Sequence, residues 1–243
     1  CTMLLPQFYI TEVKKNEKLN DNTILLELGF RENEHFYFKS GQFVLVYRSM
    51  NGKDEKRAFS VSSRSSQKTI ELLIRKYDGG TVSPLLFDLT LGDQLKIRGP
   101  FGFFNLRKSL KDKVVFIGAG TGIAPLRSMM YEVLECFPEK KVMLIFGFRR
   151  ERDFFFKDEF ERLAKNNRNF TLHACATQTS DTWPYQRGQV TRVIPNIISS
   201  PHDQDVYLCG PPMMINDTLS LLINGLGFTK DQIIIERWGA PNI

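Results

Sequence analysis

The sequence predicts two domains, a six-stranded antiparallel β-barrel over residues 1–105 and an α/β domain with a parallel sheet over residues 106–243. Three observations carry this. The first hundred residues alternate short apolar stretches with polar turns. After Lys111, strand-like and helix-like segments alternate. Three short motifs then fall at predicted strand ends: Arg57-Ala58-Phe59-Ser60, Gly118-Ala119-Gly120-Thr121-Gly122-Ile123-Ala124-Pro125 and Cys209-Gly210-Pro211-Pro212.

Residues 8–13, 23–28, 43–47, 58–61, 70–75 and 94–97 are rich in Val, Ile, Leu and Phe, and polar turns separate them, as a small antiparallel barrel requires. One helix interrupts them at 81–89, with Ser83-Pro84 near its start and Leu85, Leu86 and Leu89 at helical spacing. Gly99-Pro100-Phe101-Gly102 closes the barrel, so the boundary falls within 102–112. Beyond it, strand 114–117 leads into helix 124–137, strand 142–146 into helix 154–165, and strand 206–209 into helix 213–226. Strands at 170–174 and 233–236 and a short helix at 190–194 complete the pattern. Such alternation implies parallel strands joined by right-handed crossovers.

The composition, 42% hydrophobic and 25% charged with 20 Phe, is that of a folded globular chain and excludes extended disorder. Apolar runs such as 114–117 and 142–146 end in Gly far short of a membrane span. No basic stretch followed by an apolar run opens the chain, so a cytoplasmic protein without a membrane span is expected. Cysteines at 1, 136, 175 and 209 match no metal or iron-sulfur spacing, so no metal site is expected and any iron-sulfur cluster belongs to a partner. Cys136 and Cys175 have apolar neighbours and read as small core residues.

The net charge of +6 is uneven: residues 1–110 carry 17 Lys and Arg against 12 Asp and Glu, residues 111–243 carry 16 against 15. A basic first half suits an acidic partner or an ordinary solvated face. It has neither the basic stripe nor the aromatic platform of a nucleic-acid-binding module.

Gly118–Gly122 follows an apolar strand and opens an amphipathic segment. Glycines there let a phosphate approach the backbone and the free amides at a helix start; tight packing alone is the other reading. Cys209 ends a predicted parallel strand, where open α/β sheets bind ligands, or it is a buried cysteine ending a core strand. No general base stands beside it in sequence, which argues against a covalent nucleophile.

Four motifs in order resemble the ferredoxin-NADP reductase superfamily, whose members pair an FAD-binding barrel with a nicotinamide-binding domain, and the resemblance covers essentially the whole chain. Arg57-Ala58-Phe59-Ser60 is similar to its Arg-x-Tyr-Ser/Thr flavin signature and Gly80-Thr81-Val82-Ser83 to its Gly-x-x-Ser pyrophosphate helix. The motifs at 118–125 and 209–212 are similar to its two nicotinamide motifs. The resemblance implies an FAD-binding barrel over 1–105 and a Rossmann-like NAD(P)-binding domain over 106–243.

It also implies roles. Arg57 would pair with the FAD diphosphate, and the Val82 and Ser83 amides with the Ser83 hydroxyl would hold the same group beside Gly80. Ser60 would donate near flavin N5, while Leu73 and Arg75 would offer backbone contacts to the ribityl chain. Gly118, Gly120, Thr121, Gly122 and Pro125 would hold the coenzyme diphosphate, with Cys209, Gly210 and Pro211 at the nicotinamide. Ser60, Cys209 and Glu236 form the implied catalytic set, Glu236 as a proton or hydrogen-bond partner. Phe59 stands where the family has tyrosine, which removes a ribityl hydrogen bond worth about 1 kcal/mol. Glu236-Arg237-Trp238 resembles the family's Glu-x-aromatic ending, whose ring covers the flavin, but here the chain runs on to Ile243.

Arg149 and Arg150 permit NADPH. Thr177-Gln178, in place of a Ser-Arg pair, and the stretch 181–188 resemble NADH-dependent reductases and favour NADH. The implied activity is hydride transfer from NAD(P)H to flavin N5, with electrons passed to a separate acceptor: an acidic redox protein such as a ferredoxin or flavodoxin, or a small acceptor such as free flavin or a quinone. The alternative is an FAD-binding electron-relay or regulatory subunit of a larger complex.

Overall fold

The computed structural model describes residues 5–50, 53–77 and 79–237. The chain divides into two compact units, one of Cys1–Asn105 with Arg127–Met129, the other of Leu106–Leu126 and Met130–Ile243.

The first unit is a curled antiparallel sheet of β1 (Gln7–Asn20), β2 (Thr23–Gly29), β3 (Phe43–Met50), β4 (Lys53–Ser60), β5 (Thr69–Arg75) and β6 (Gln94–Phe101), in the order β4-β3-β6-β1-β2-β5. A bridge between Val61 and Leu72 joins the two outer strands and closes the barrel. Alternation explains which way the side chains point. In β6, Leu95 and Ile97 are buried and Gln94 and Lys96 exposed. Inside, Val13, Leu26, Leu28, Val44, Val46, Leu72 and Ile74 form one core with Leu86 beneath them.

Strand β1 is longer than the expected 8–13. Its first half pairs with β6 and its second half, through register shifts after Val13 and Lys18, with β2. Such bulges bend a strand so that it serves two neighbours. The polar stretch Lys14–Asn20 therefore extends because its backbone is paired, not because its side chains are buried. Helix α1 (Ser83–Phe87) is shorter than the 81–89 expected, with Pro84 in its first turn where a missing N–H is tolerated.

The second unit is a parallel sheet of β7 (Lys113–Ala119), β8 (Lys141–Arg150), β9 (Phe170–Gln178), β10 (Gln186–Arg187), β11 (Gln204–Gly210) and β12 (Ile233–Arg237), ordered β10-β9-β8-β7-β11-β12. Helices α2 (Ile123–Cys136), α3 (Lys157–Asn166), α4 (Val190–Ile197) and α5 (Pro212–Ser220) cross between strands. The central β7 and β11 are near-continuously buried, as strands covered on both faces are. Helix α4 runs past the expected 190–194 through Pro195. The expected helix 213–226 is α5 followed by one π turn over Leu221–Gly225. Among the described residues no helix is long and apolar enough to cross a membrane.

The placement of Cys136 corrects the expectation of two core cysteines. It is exposed as the last residue of α2, beyond the helix stretch that packs on the sheet, whereas Cys175 in β9 is fully buried. Burial pushes the Cys175 thiol up to about 12, so this sulfur stays protonated and inert. A second feature was not legible in sequence. Buried Asp205 at the start of β11 accepts from Arg107 Nη1 at 3.1 Å and Lys111 N at 2.9 Å, and the Tyr207 hydroxyl accepts from Arg107 N at 2.9 Å. These bonds pin the polar stretch 106–111 to the sheet.

Candidate functional site

In the first unit, β4 carries Arg57, Phe59 and Ser60, and β5 carries Leu73 and Arg75. The Val61–Leu72 bridge sets Ser60 and Leu73 next to one another on adjoining strands. Ser60 is 4% exposed and Leu73 is buried. Phe59 packs into the barrel core, which leaves little of its ring for a ligand. Arg57 is half-buried, and its guanidinium has no hydrogen bond or ion pair with a described residue.

A tight turn leads into Ser83, which is itself largely buried. Gly79, at φ +76, makes a backbone turn that favours glycine, and Gly80 N donates to Tyr77 O at 3.0 Å. A Cβ on Gly80 would meet Ser83 Oγ at 3.1 Å. Val82 and Ser83 open α1 with no side-chain cap, so the first amides of this turn lack the partner a cap would supply. A guanidinium without a partner among the described residues and uncapped amides fit a diphosphate.

In the second unit the sheet order reverses direction between β7 and β11, and ligands of open α/β sheets bind at the carboxyl ends of strands at such a point. Both predicted motifs lie there. β7 ends at Ala119 and passes through a single 3₁₀ turn, Gly120–Gly122, into α2, again without a side-chain cap. Gly120 has φ +55, and Pro125 sits in the helix's first turn. Gly118 lies under Leu126, whose Cδ1 would be 2.8 Å from an added Cβ.

The closest approach of backbone to backbone in this site is at Gly122. A Cβ there would lie 2.4 Å from Cys209 O and 2.7 Å from its carbonyl carbon. The turn after β7 therefore rests against the backbone end of β11, which only glycine permits. Cys209 is fully buried and is the register partner of Gly118 on one side and Glu236 on the other. Gly210 faces Met214 of α5, and Pro211 and Pro212 start that helix. The structure thus brings together Gly118, Gly120, Thr121, Gly122, Cys209, Gly210 and Glu236. Trp238 lies outside the described residues.

Glu236 is half-buried, and burial holds its carboxyl above the ordinary range. A carboxylate raised in the folded state binds protons more tightly there than in the unfolded chain. It therefore weakens the fold as pH rises from the ordinary carboxylate range through its raised value. Glu236→Gln should match the parent in thermal stability at acid pH and exceed it at neutral pH. Melting curves across pH check this, and an offset that stays constant with pH would refute it.

At the end of β8, Arg149 and Arg150 are exposed, and Arg150 Nε donates to Gln178 Oε1 at 3.2 Å. Glu151 accepts from Ser180 N, and the Ser180 bonds hold its carboxyl below the ordinary value. Phe148, Phe154, Trp183 and Tyr185 form an aromatic cluster beside them, with Phe148 and Phe154 stacked at 4.9 Å and Trp183 and Tyr185 tilted at 5.1 Å. Trp183 Nε1 donates to Gln186 O at 3.0 Å. The stretch 181–188 that carries Trp183 and Tyr185 is marked in sequence, but its packing on Phe148 and Phe154 is not, and neither is Gly79; the density of Phe after Phe146 and the paired Gly79-Gly80 are the signals.

The oxidoreductase FAD-binding domain family matches residues 11–106, and the oxidoreductase NAD-binding domain family matches residues 116–220. The reductase component of propane 2-monooxygenase from Rhodococcus jostii is 33% identical over 95% of this chain and 64% of its own length. The electron transfer component of toluate 1,2-dioxygenase from Pseudomonas putida is 31% identical over 96% of this chain and 68% of its own. The chain thus spans about two thirds of these relatives. A cytochrome P450 reductase from Amycolatopsis has a similar structure, with TM-score 0.85 and 26% identity over 96% of this chain and 70% of that one.

Proposed function

Because the chain belongs to the ferredoxin-NADP reductase superfamily, as an oxidoreductase with an FAD-binding and an NAD-binding domain, we propose that it passes electrons from NADH through FAD to a separate acceptor. The FAD-binding domain is assigned to 1–105 and the NAD(P)-binding domain to 106–243. The observation that carries this reading is the glycine-only contact of the 120–122 turn with Cys209 at the sheet's reversal point. Bound FAD supplies the N5 atom that accepts hydride and can release electrons singly.

The chain's own residues bind and orient. Arg57 neutralises the FAD diphosphate, with the Val82 and Ser83 amides and the Ser83 hydroxyl completing its cradle. Ser60 donates to the flavin, with Leu73 and Arg75 along the ribityl chain. The Gly118–Gly122 turn and Pro125 hold the coenzyme diphosphate at the start of α2. Cys209, Gly210 and Pro211 border the nicotinamide, with Glu236 as hydrogen-bond partner across the strand pair.

The residues after β8 support NADH. Arg150 is engaged by Gln178, and the ionised Glu151 would repel a 2′-phosphate brought to Arg149. Anaerobic stopped-flow mixing is expected to show flavin reduction by NADH with a second-order rate constant at least about tenfold above that for NADPH, a gap of roughly 1.4 kcal/mol in transition-state binding. Reduction by neither coenzyme would favour an electron-relay subunit; a preference for NADPH would overturn the coenzyme assignment alone. For the acceptor we favour an acidic redox protein in the cytoplasm, since the basic first half would steer it at low salt.

A further inference from the structure

The amino ends of the same parallel strands, opposite the glycine turn, surround a cleft of about 200 Å³. Its floor is apolar, with Val115 and Ile198 buried and Met143 partly so. Its rim is cationic: Lys113 opens β7, Lys141 opens β8, and Arg168 precedes β9.

Lys113 and Lys141 are direct register partners, as are Val115 and Met143. Alternation puts all four on one face, and neighbouring strands lie about 4.8 Å apart. Like charges opposite one another on adjoining strands are destabilising, yet no carboxylate lines this cleft. None of the three cations makes an ion pair or side-chain hydrogen bond with a described residue. Of the carboxylates next to Lys113 and Lys141 in chain and fold, Asp112 is paired with Lys140 at 3.2 Å and is only weakly influenced by Lys141, and Asp203 accepts from Asp112 N.

Four of the five neutral polar side chains of the lining, all but Ser199, are already engaged, Ser200 Oγ by accepting from His202 N at 3.1 Å. Asn169 Nδ2 donates to Pro138 O at 2.7 Å, Thr171 Oγ1 to Val142 O, and the Gln204 amide to Ser200 O. What the cleft lacks is an anionic acceptor, and what its floor offers is apolar surface. We infer that it binds a small organic anion, a carboxylate carried on a short apolar tail. The head lies among Lys113, Lys141 and Arg168, and the tail covers Val115, Met143 and Ile198. The length of β7 separates this site from the coenzyme turn by about 20 Å, so the ligand does not compete with NADH.

The test is titration of the full chain with hexanoate, followed by the isotope-labelled methyl resonance of Met143. A saturable shift is expected, weakening with added salt. Lys141→Gln and Lys113→Gln should each weaken binding about tenfold while leaving flavin reduction by NADH unchanged. Hexanol and inorganic phosphate separate the two halves of the inference. Hexanol binding as well as hexanoate would overturn the role of charge, and phosphate binding as well would overturn the apolar tail. No saturable shift at tens of millimolar hexanoate would overturn the site itself.

Discussion

Gly122→Ala is expected to leave the protein yellow and to slow flavin reduction by NADH by about 100-fold, the loss that an ångström of misplacement can cause. The added Cβ would sit 2.4 Å from the Cys209 carbonyl oxygen. Neither side of that contact is a flexible side-chain end: one is the start of α2, the other the last residues of β11. Relief requires the phosphate-binding turn, the nicotinamide strand, or both to shift. Overpacking of this kind costs about 1–3 kcal/mol, so the second unit should still fold. The Arg57 and Ser83 positions of the first unit are untouched. Single-turnover reduction, with bound FAD measured by absorbance, distinguishes the outcomes; an unchanged rate with unchanged NADH affinity would remove the turn from the coenzyme site.

Arg57→Ala is expected to raise the dissociation constant for FAD roughly 10- to 100-fold, since hydrogen bonds to charged groups contribute about 1.5–3 kcal/mol. The guanidinium is half-buried and has no described partner. Its removal orphans no carboxylate among the described residues, so the apoprotein should keep its melting temperature within about 2 °C, as expected of a change under 0.5 kcal/mol. Arg57→Lys should recover only part of the affinity, because an ammonium cannot bind two phosphate oxygens in the fork geometry of arginine. Fluorescence of FAD released on dilution reads both variants. Equal retention of FAD by parent and Arg57→Ala would overturn the assignment.

Most of the architecture was legible in sequence because burial and period agree. Strands such as β7 and β8 are apolar runs ending in glycine, and the barrel strands alternate. Legibility failed where backbone pairing or distant partners decide. The second half of β1, Lys14–Asn20, is polar and is held by its ladder to β2. β10 is two residues long and too short to carry a pattern. Asp205 and Arg107 stand 98 residues apart, so no local window contains their contact. Cys136 was misplaced because apolar neighbours in a helix say nothing about which face, or which end, meets the core.

The site shows the same division. Gly122 was read as a phosphate-loop glycine, but its need for the Cys209 backbone arises from two strands that are adjacent only in the folded sheet. Glu151 and Ser180, which bear on coenzyme choice, belong to two different loops joined by one hydrogen bond.

The strand order of the barrel also dictates when it can form. β6 lies between β3 and β1, so without it the ladder falls into a β4-β3 hairpin and a β1-β2-β5 group, joined by the Val61–Leu72 bridge. The Val61–Leu72 bridge can link the two groups during synthesis, but the ladder is continuous only once residues 94–101 have left the ribosome. The barrel that carries the proposed flavin cradle is therefore completed late, by the last strand of its own domain to be made.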